Sequence, residues 1–224
     1  MKYLCENIQG CVLGYTQSDE ITLILIDYKK LTSSAWFDYE VQKICSIAAS
    51  MATMVFNKAF FKNVFDYSTT AAVDLSNKKY SFKEAYIKAI NKGAMFDARC
   101  FNIPKEEVTN LIYWRQLDAS RNSIQMVGQA NFSHEKLQNK SCNDIQDMLM
   151  TQKGINWNDF PTYQKRGSCC VRNKMVIESD GGMATAQLRD TSKSENEWII
   201  DTDIPIFKGE GREYIDKLVF VGED

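Results

Sequence analysis

Residues 11 to 26, Cys-Val-Leu-Gly-Tyr-Thr-Gln-Ser-Asp-Glu-Ile-Thr-Leu-Ile-Leu-Ile, constrain the fold of this chain most. Cys11 to Thr16 is apolar with little helical periodicity, Gln17-Ser18-Asp19-Glu20 is a polar corner, and Ile21 to Ile26 is β-branched and aliphatic. Two such runs around a short corner predict strand, turn, strand. Asp19 and Glu20 then lie side by side where two strands fix the backbone. Oxygen donors held in this way can take a divalent cation and leave positions for phosphate and water. An ordinary solvated turn explains the same tetrapeptide, because Asp favours turns through local hydrogen bonds.

At 224 residues the chain can bury one sizeable core or two small ones, and its 44% apolar and 25% charged content is ordinary for a soluble protein. A net charge of -2 excludes a surface built throughout to grip nucleic acid, but leaves room for a local basic groove. The seven cysteines are odd in number and show no C-x-x-C spacing, so neither a zinc site nor a disulfide framework is indicated. Without a signal peptide they are expected to be reduced packing thiols, and the protein cytoplasmic. The longest charge-free apolar run, Ile44 to Asn57, covers fourteen residues and includes Ser46, Ser50 and Thr53. It reads as too short and too polar to span a bilayer, so no membrane partner is expected.

Along the chain, Leu4 and Ile8 followed by Gly10 predict the last turns of a helix. After the strand pair, a helical pattern from about Phe37 to Lys62 carries many small residues, which predicts close packing against a sheet. Ser81 is a possible cap for a short helix through Ile90, and Ala94 to Asn102 alternates as a strand would. Pro104 opens a long helix with Leu111, Trp114, Leu117, Ile124 and Val127 as its core stripe and Arg115, Gln116, Asp118, Arg121 and Asn122 on other faces. Ser133 reads as the cap of a helix starting at His134, the single histidine, and Lys140 to Thr151 as another helix. From Tyr163 to Ile177, Lys165, Arg166, Arg172 and Lys174 cluster on an expected hairpin near Trp157 and Tyr163. Basic groups among aromatics can hold single-stranded nucleic acid, and can equally protect a sheet edge. The glycines near the C-terminus match no phosphate loop.

Four motifs in order carry a resemblance: Tyr15-Thr16-Gln17-Ser18-Asp19-Glu20; Phe96-Asp97-Ala98-Arg99; Trp114-Arg115-Gln116-x-Asp118; and Asn156-x-Asn158-x-x-Pro161-x-Tyr163-x-Lys165-x-Gly167. Together, over about residues 1 to 170, they resemble the tRNA(His) guanylyltransferase family. The resemblance implies a mixed α/β, palm-like (ferredoxin-like) antiparallel sheet with packed helices. It implies a palm-like region over residues 1–104 and a helical and hairpin region over 105–224, packed as one unit. It further implies a nucleotidyltransferase that adds nucleotides to the 5′ end of tRNA in the 3′-to-5′ direction, with two magnesium ions (Mg2+), GTP and ATP as substrates, and a homo-tetrameric assembly.

By the same resemblance Asp19 is a metal ligand and Glu20 supports it, Ser18 belongs to the nucleotide site, Lys140 approaches a triphosphate, and Arg115, Asn122, Lys165 and Arg166 shape the nucleotide and tRNA surface. Where eukaryotic members carry His-Ile-Asn-Asn, this chain has Ser120-Arg121-Asn122-Ser123. That is similar to the bacterial, archaeal and phage branch, whose members favour templated repair of truncated 5′ ends. The family's opening Arg-x-Asp-Gly strand has no counterpart near the N-terminus. The expectation is therefore an N-terminally shortened palm with a gap beside the Ile21–Ile26 strand and one metal ligand missing. A catalytically inactive RNA- or nucleotide-binding module is the alternative, and a palm cyclase is weaker because it leaves the Trp-Arg-Gln helix unexplained.

Overall fold

The corner folds as a hairpin tighter than the sequence suggests. In this computed structural model, which describes residues 1–70, 77–172 and 197–221, strands β1 (Cys11–Gln17) and β2 (Glu20–Leu25) pair antiparallel with only Ser18 and Asp19 between them. Ser18 takes φ +50, within the left-handed region that two-residue hairpin turns use. The Thr16 hydroxyl donates to the Glu20 carbonyl at 2.8 Å and closes the turn. Glu20 is therefore the first residue of a strand.

The chain divides by contact into two units, Met1–Ala35 with Ile103–Asp224, and Trp36–Asn102. In the first, the sheet runs in the order β2-β1-β3-β4, all antiparallel, with β3 spanning Ser168–Arg172 and β4 Trp198–Asp201. The N-terminal hairpin and the C-terminal strands thus share one sheet, because β1 pairs with β3 from Gly14↔Cys170 to Thr16↔Ser168. One face carries Leu13, Tyr15, Ile24, Cys169 and Val171. It packs on Val108 and Ile112 of α4 (Lys105–Asn131), on Ile204 and Phe207, and on Ile215, Leu218 and Val219 of α8 (Glu213–Val219). Each such side chain contributes about 1.5–3 kcal/mol on burial, before chain entropy is counted. Helix α1 (Lys2–Asn7) contacts β1, β3 and β4. A Cβ on Gly14 would lie 2.5 Å from Cys5 Sγ, so glycine is what permits this close approach.

The buried face of α4 differs from the expected stripe. Val108, Thr109, Ile112, Gln116, Ala119, Ile124 and Gly128 are buried, whereas Trp114 is 59% and Leu117 49% exposed. The helix turns Gln116 inward because its amide is fully used: Oε1 accepts from Phe207 N–H at 3.0 Å and Nε2 donates to Pro205 O at 2.8 Å. A buried polar group satisfied twice outcompetes an apolar stripe read from spacing alone. Beyond it, α5 (His134–Leu137) has an exposed His134, and α6 (Cys142–Lys153) packs Ile145 and Leu149 on Ile124. Ser141 and Asp144 form a reciprocal capping box at the start of α6. Lys165 and Arg166, expected on a hairpin, lie on the short helix α7 (Thr162–Arg166). Pro161 leads into this helix, and the hairpin is replaced by β3 and β4 of the main sheet. Lys174 lies outside the described residues.

The second unit holds α2 (Val41–Thr70) and α3 (Asn77–Lys92), so the helix expected to be capped by Ser81 begins earlier. It contains no strand among its described residues, which corrects two expectations. The small-residue face of α2 packs on no sheet within its unit, and Ala94 to Asn102 is extended without a ladder. Met95, Asp97, Arg99 and Phe101 are exposed while Phe96, Ala98 and Cys100 are partly covered, so the alternation is real. Side chains of α2 replace a strand neighbour. Asn57 bonds both the N–H and the C=O of Ala94 at 2.8 Å, and Thr53 Oγ1 accepts from Phe96 N–H at 3.1 Å. Contrary to the expectation for Ile44 to Asn57, Val41–Tyr67 is long and apolar enough to cross a membrane by length and composition, and little of it is buried. Counting only the charge-free stretch was too strict, since lysines such as Lys43, Lys58 and Lys62 interrupt it and can extend their amines away from an apolar surface.

Candidate nucleotide site beside the hairpin turn

Below the turn, β1, α4 and α7 enclose a cleft of about 350 Å3. Gln17 and Ser18 come from the turn, Ala119, Asn122, Ser123, Met126 and Val127 from α4, and Phe160, Tyr163, Gln164 and Gly167 from the connector and α7. Each wall is positioned by a specific contact. Trp157 Nε1 donates to Ser123 Oγ at 3.0 Å, pinning the Asn156–Tyr163 connector to α4. The Asn156 side chain caps the turn at Trp157–Asp159 by accepting from Asn158 N–H. Tyr15 OH donates to the Arg166 carbonyl at 2.6 Å and ties α7 to β1. Burial, then the nearby Cys169, Asp118 and Glu20, pushes the Tyr15 hydroxyl well up, so it stays a neutral donor. Gly167 has φ +83 and presses against the Thr16 carbonyl, a fit open only to glycine.

The sequence-predicted residues separate into three sets. Ser18 and Asn122 line the cleft, and Asn122 Nδ2 is oriented by Asp118 Oδ2 one turn earlier at 3.1 Å. Asp19, exposed at the turn, directly follows Ser18. Glu20 is engaged: its Oε2 accepts from Arg115 Nη1 at 3.1 Å and from Gln17 Nε2 at 3.1 Å, and Arg115 also stacks over Trp114 at 5.2 Å. An ion pair this exposed is worth about 0.2–1 kcal/mol, little enough to yield to a phosphate.

Lys165 donates to Asn158 O at 2.5 Å and lies 5.9 Å from the Trp157 ring, so it braces the connector. Arg166 follows it at the end of α7 and supplies the carbonyl that holds Tyr15. Lys140 is exposed just before the α6 cap, apart from the cleft lining. Of the other cleft residues, Gln17, Tyr163 and Gly167 belong to the quoted motifs without a role assigned to them, and Ala119, Ser123, Met126, Val127, Phe160 and Gln164 were not predicted for the site. Phe160 and Gln164 flank motif positions Pro161 and Tyr163, the only signal that pointed to them.

Among the described residues no three His, Cys, Asp or Glu side chains converge on a metal position. Asp19, exposed at the turn, is a hard carboxylate donor of the kind that holds magnesium together with water and phosphate oxygens.

An antiparallel sheet packed with helices defines an α/β fold of this class, and the aromatic- and amide-lined cleft beside the carboxylate turn is its candidate ligand site. Comparison with known proteins makes the family specific. The family model for tRNAHis guanylyltransferase (Thg1) matches residues 1–104. A bacterial tRNA(His) guanylyltransferase (Thg1)-like protein solved in complex with ATP is 39% identical, with a TM-score of 0.72, over 98% of this chain and 76% of that one. Such a protein solved in complex with GTP is 34% identical with a TM-score of 0.65, over 98% and 74%. Protein R259 of Acanthamoeba polyphaga mimivirus, itself uncharacterised, is 30% identical over 182 residues, 76% of this chain and 58% of its own length. The chain belongs to the tRNA(His) guanylyltransferase (Thg1) family. It spans 58% to 65% of the length of the curated relatives it matches.

Proposed function

We propose that this chain is a nucleotidyltransferase that extends the 5′ end of tRNA in the 3′-to-5′ direction, with GTP, ATP or another nucleoside triphosphate bound in the cleft. The observation that carries this reading is the cleft itself: motif residues Ser18, Asn122 and Tyr163 form its walls, in a chain 39% identical to a protein solved with ATP. The base lies against Phe160 and Tyr163, and the amides of Gln17, Asn122 and Gln164 meet its polar edge. Phosphates point toward the turn, where the backbone at Ser18 and the carboxylate of Asp19 hold the reacting end. Arg115 exchanges Glu20 for a phosphate oxygen, and Lys140, Lys165 and Arg166 attract the polyanionic tRNA. A magnesium ion bound by Asp19 would supply charge neutralisation for the phosphates. The 3′-oxygen of the bound nucleotide attacks the phosphorus at the tRNA 5′ end. A new phosphodiester forms, the bond to pyrophosphate (from a 5′ triphosphate) or to adenylate (placed earlier on a 5′ monophosphate by ATP with release of pyrophosphate) breaks, and the hydroxyl proton passes to solvent. The protein works in the cytoplasm as a homo-oligomer. Its α2 serves protein packing, a reading supported by the polar clamps that Thr53 and Asn57 make to its own chain.

A second reading is a nucleotide- or RNA-binding module without catalysis, favoured by the lack of a three-ligand cluster among the described residues. Labelled GTP, 5′-truncated tRNA and magnesium separate the two. Nucleotide addition that falls about 10²-fold in Asp19→Ala supports the enzyme. Binding of GTP with no addition supports the module, and addition unaffected by Asp19→Ala removes Asp19 from the site.

A further inference from the structure

Cys45 and Cys100 differ from the other thiols. Cys5, Cys11, Cys169 and Cys170 are buried, and Cys5 is pushed up to about 12, first by its hydrogen bond with Cys11. Cys45, Cys100 and Cys142 are half-buried, and among these the Sγ atoms of Cys45 and Cys100 lie 3.7 Å apart across 55 residues of sequence. Cys45 sits in the second turn of α2, while Cys100 lies near the end of the extended segment 94–102.

The segment crosses α2 antiparallel to it. Asn57 holds Ala94, Thr53 holds Phe96, Phe56 meets Phe96 with ring centroids 5.3 Å apart, and Cys45 meets Cys100. From Cys45 to Asn57 the helix rises about 18 Å. From Ala94 to Cys100 an extended chain covers about 20 Å. The two lengths match, so the asparagine clamp and the thiol pair fix opposite ends of one crossing. The asparagine end has two hydrogen bonds, whereas the cysteine end has a thiol contact and a 3.9 Å approach of Cys100 Sγ to the Val41 carbonyl. The cysteine end is the weaker one.

We propose that Cys45 and Cys100 are a peroxide-responsive thiol pair whose intramolecular disulfide fastens segment 94–102 to α2. One thiolate sulfur attacks a hydrogen peroxide oxygen, the O–O bond breaks, and the released hydroxide is protonated to water, leaving a sulfenic acid. The second thiolate attacks that sulfur, the S–O bond breaks and a second water leaves. Two thiols lose two electrons and one peroxide gains them. The sulfurs close from 3.7 Å to about 2.05 Å by side-chain rotation at two half-covered positions.

Burial, then the hydrogen bond with Cys45, holds the Cys100 thiol above the ordinary range, so the test treats the full chain with hydrogen peroxide at pH about 9.5, roughly a unit above the ordinary thiol value, and blocks the remaining thiols. Intact mass, non-reducing peptide mapping and amide hydrogen exchange are then measured. The expected product has no covalent link between chains and carries two fewer blocking groups than the reduced protein blocked under denaturing conditions, with Cys45 and Cys100 peptides joined and exchange over 94–102 slowed at least about tenfold, all reversed by dithiothreitol. Cys45→Ser should abolish the linkage, and Cys142→Ser should leave it intact. Oxidation that instead joins two chains, targets Cys142 or stops at sulfinic acid overturns the proposal. A Cys45–Cys100 disulfide that leaves exchange over 94–102 unchanged overturns the fastening.

Discussion

Replacing Gln116 by Leu should destabilise the first unit by about 2–4 kcal/mol although leucine is apolar and similar in size. Gln116 is 2% exposed, and its amide serves the loop that carries Pro205 and Phe207 over the sheet. Leucine removes both partners at once and leaves a buried Phe207 N–H and a part-buried Pro205 carbonyl unpaired. Each orphaned group costs about 1–3 kcal/mol, offset in part by the apolar gain of the leucine. Urea denaturation followed by tryptophan fluorescence reads the total, and amide exchange at Phe207 reads the place. The expected result is a lower midpoint with unchanged slope and lost protection at Phe207. A change below about 0.5 kcal/mol, or full protection at Phe207, would refute the inward role of this motif glutamine.

Gly167→Ala should cost about 3 kcal/mol or more, because φ +83 with ψ -168 disfavours any Cβ and that Cβ would collide with the Thr16 carbonyl and approach Tyr15 OH to 3.0 Å; thermal melting checks it, and a stable variant refutes the tight β1–α7 join. Ser141, through its backbone N–H and then its hydroxyl, holds the Asp144 carboxyl below its ordinary 3.8. The contribution of that cap is fully present above the ordinary value and fades as pH falls through the lower folded one, so Asp144→Asn should flatten the acid limb of a stability–pH curve. The Tyr15 hydroxyl is raised by burial, so its contribution is complete below its ordinary value of 10.0 and declines as pH rises above it. Tyr15→Phe should therefore be less stable at neutral pH, through the lost bond to Arg166, yet lose less stability in alkaline titration.

The hairpin was legible because two apolar runs around four polar residues leave few options, and the helix over Lys140 to Thr151 because its pattern is local, whereas the Ser141–Asp144 capping box at its start emerged only in the structure. What failed depended on partners distant in sequence. The phase of α4 turned on Gln116 finding the backbone near residue 206, which spacing within the helix cannot reveal. Ala94–Asn102 has the alternation of a strand, but a strand needs a neighbour, and here the asparagine and threonine of α2 supply the hydrogen bonds. At the site, Ser18, Asn122 and Tyr163 were recognisable from motifs, whereas Met126, Val127 and Phe160 are ordinary apolar residues until the fold places them together.

Equilibrium binding of GTP and ATP to the wild-type chain and to Tyr163→Ala, by calorimetry with magnesium present, tests the cleft most directly. One site per chain is expected, with affinity reduced about 5- to 150-fold in the variant, as loss of a base-stacking aromatic costs about 1–3 kcal/mol. Absence of nucleotide binding, or equal affinity in the variant, would contradict the placement of the nucleotide beside the Ser18–Asp19 turn.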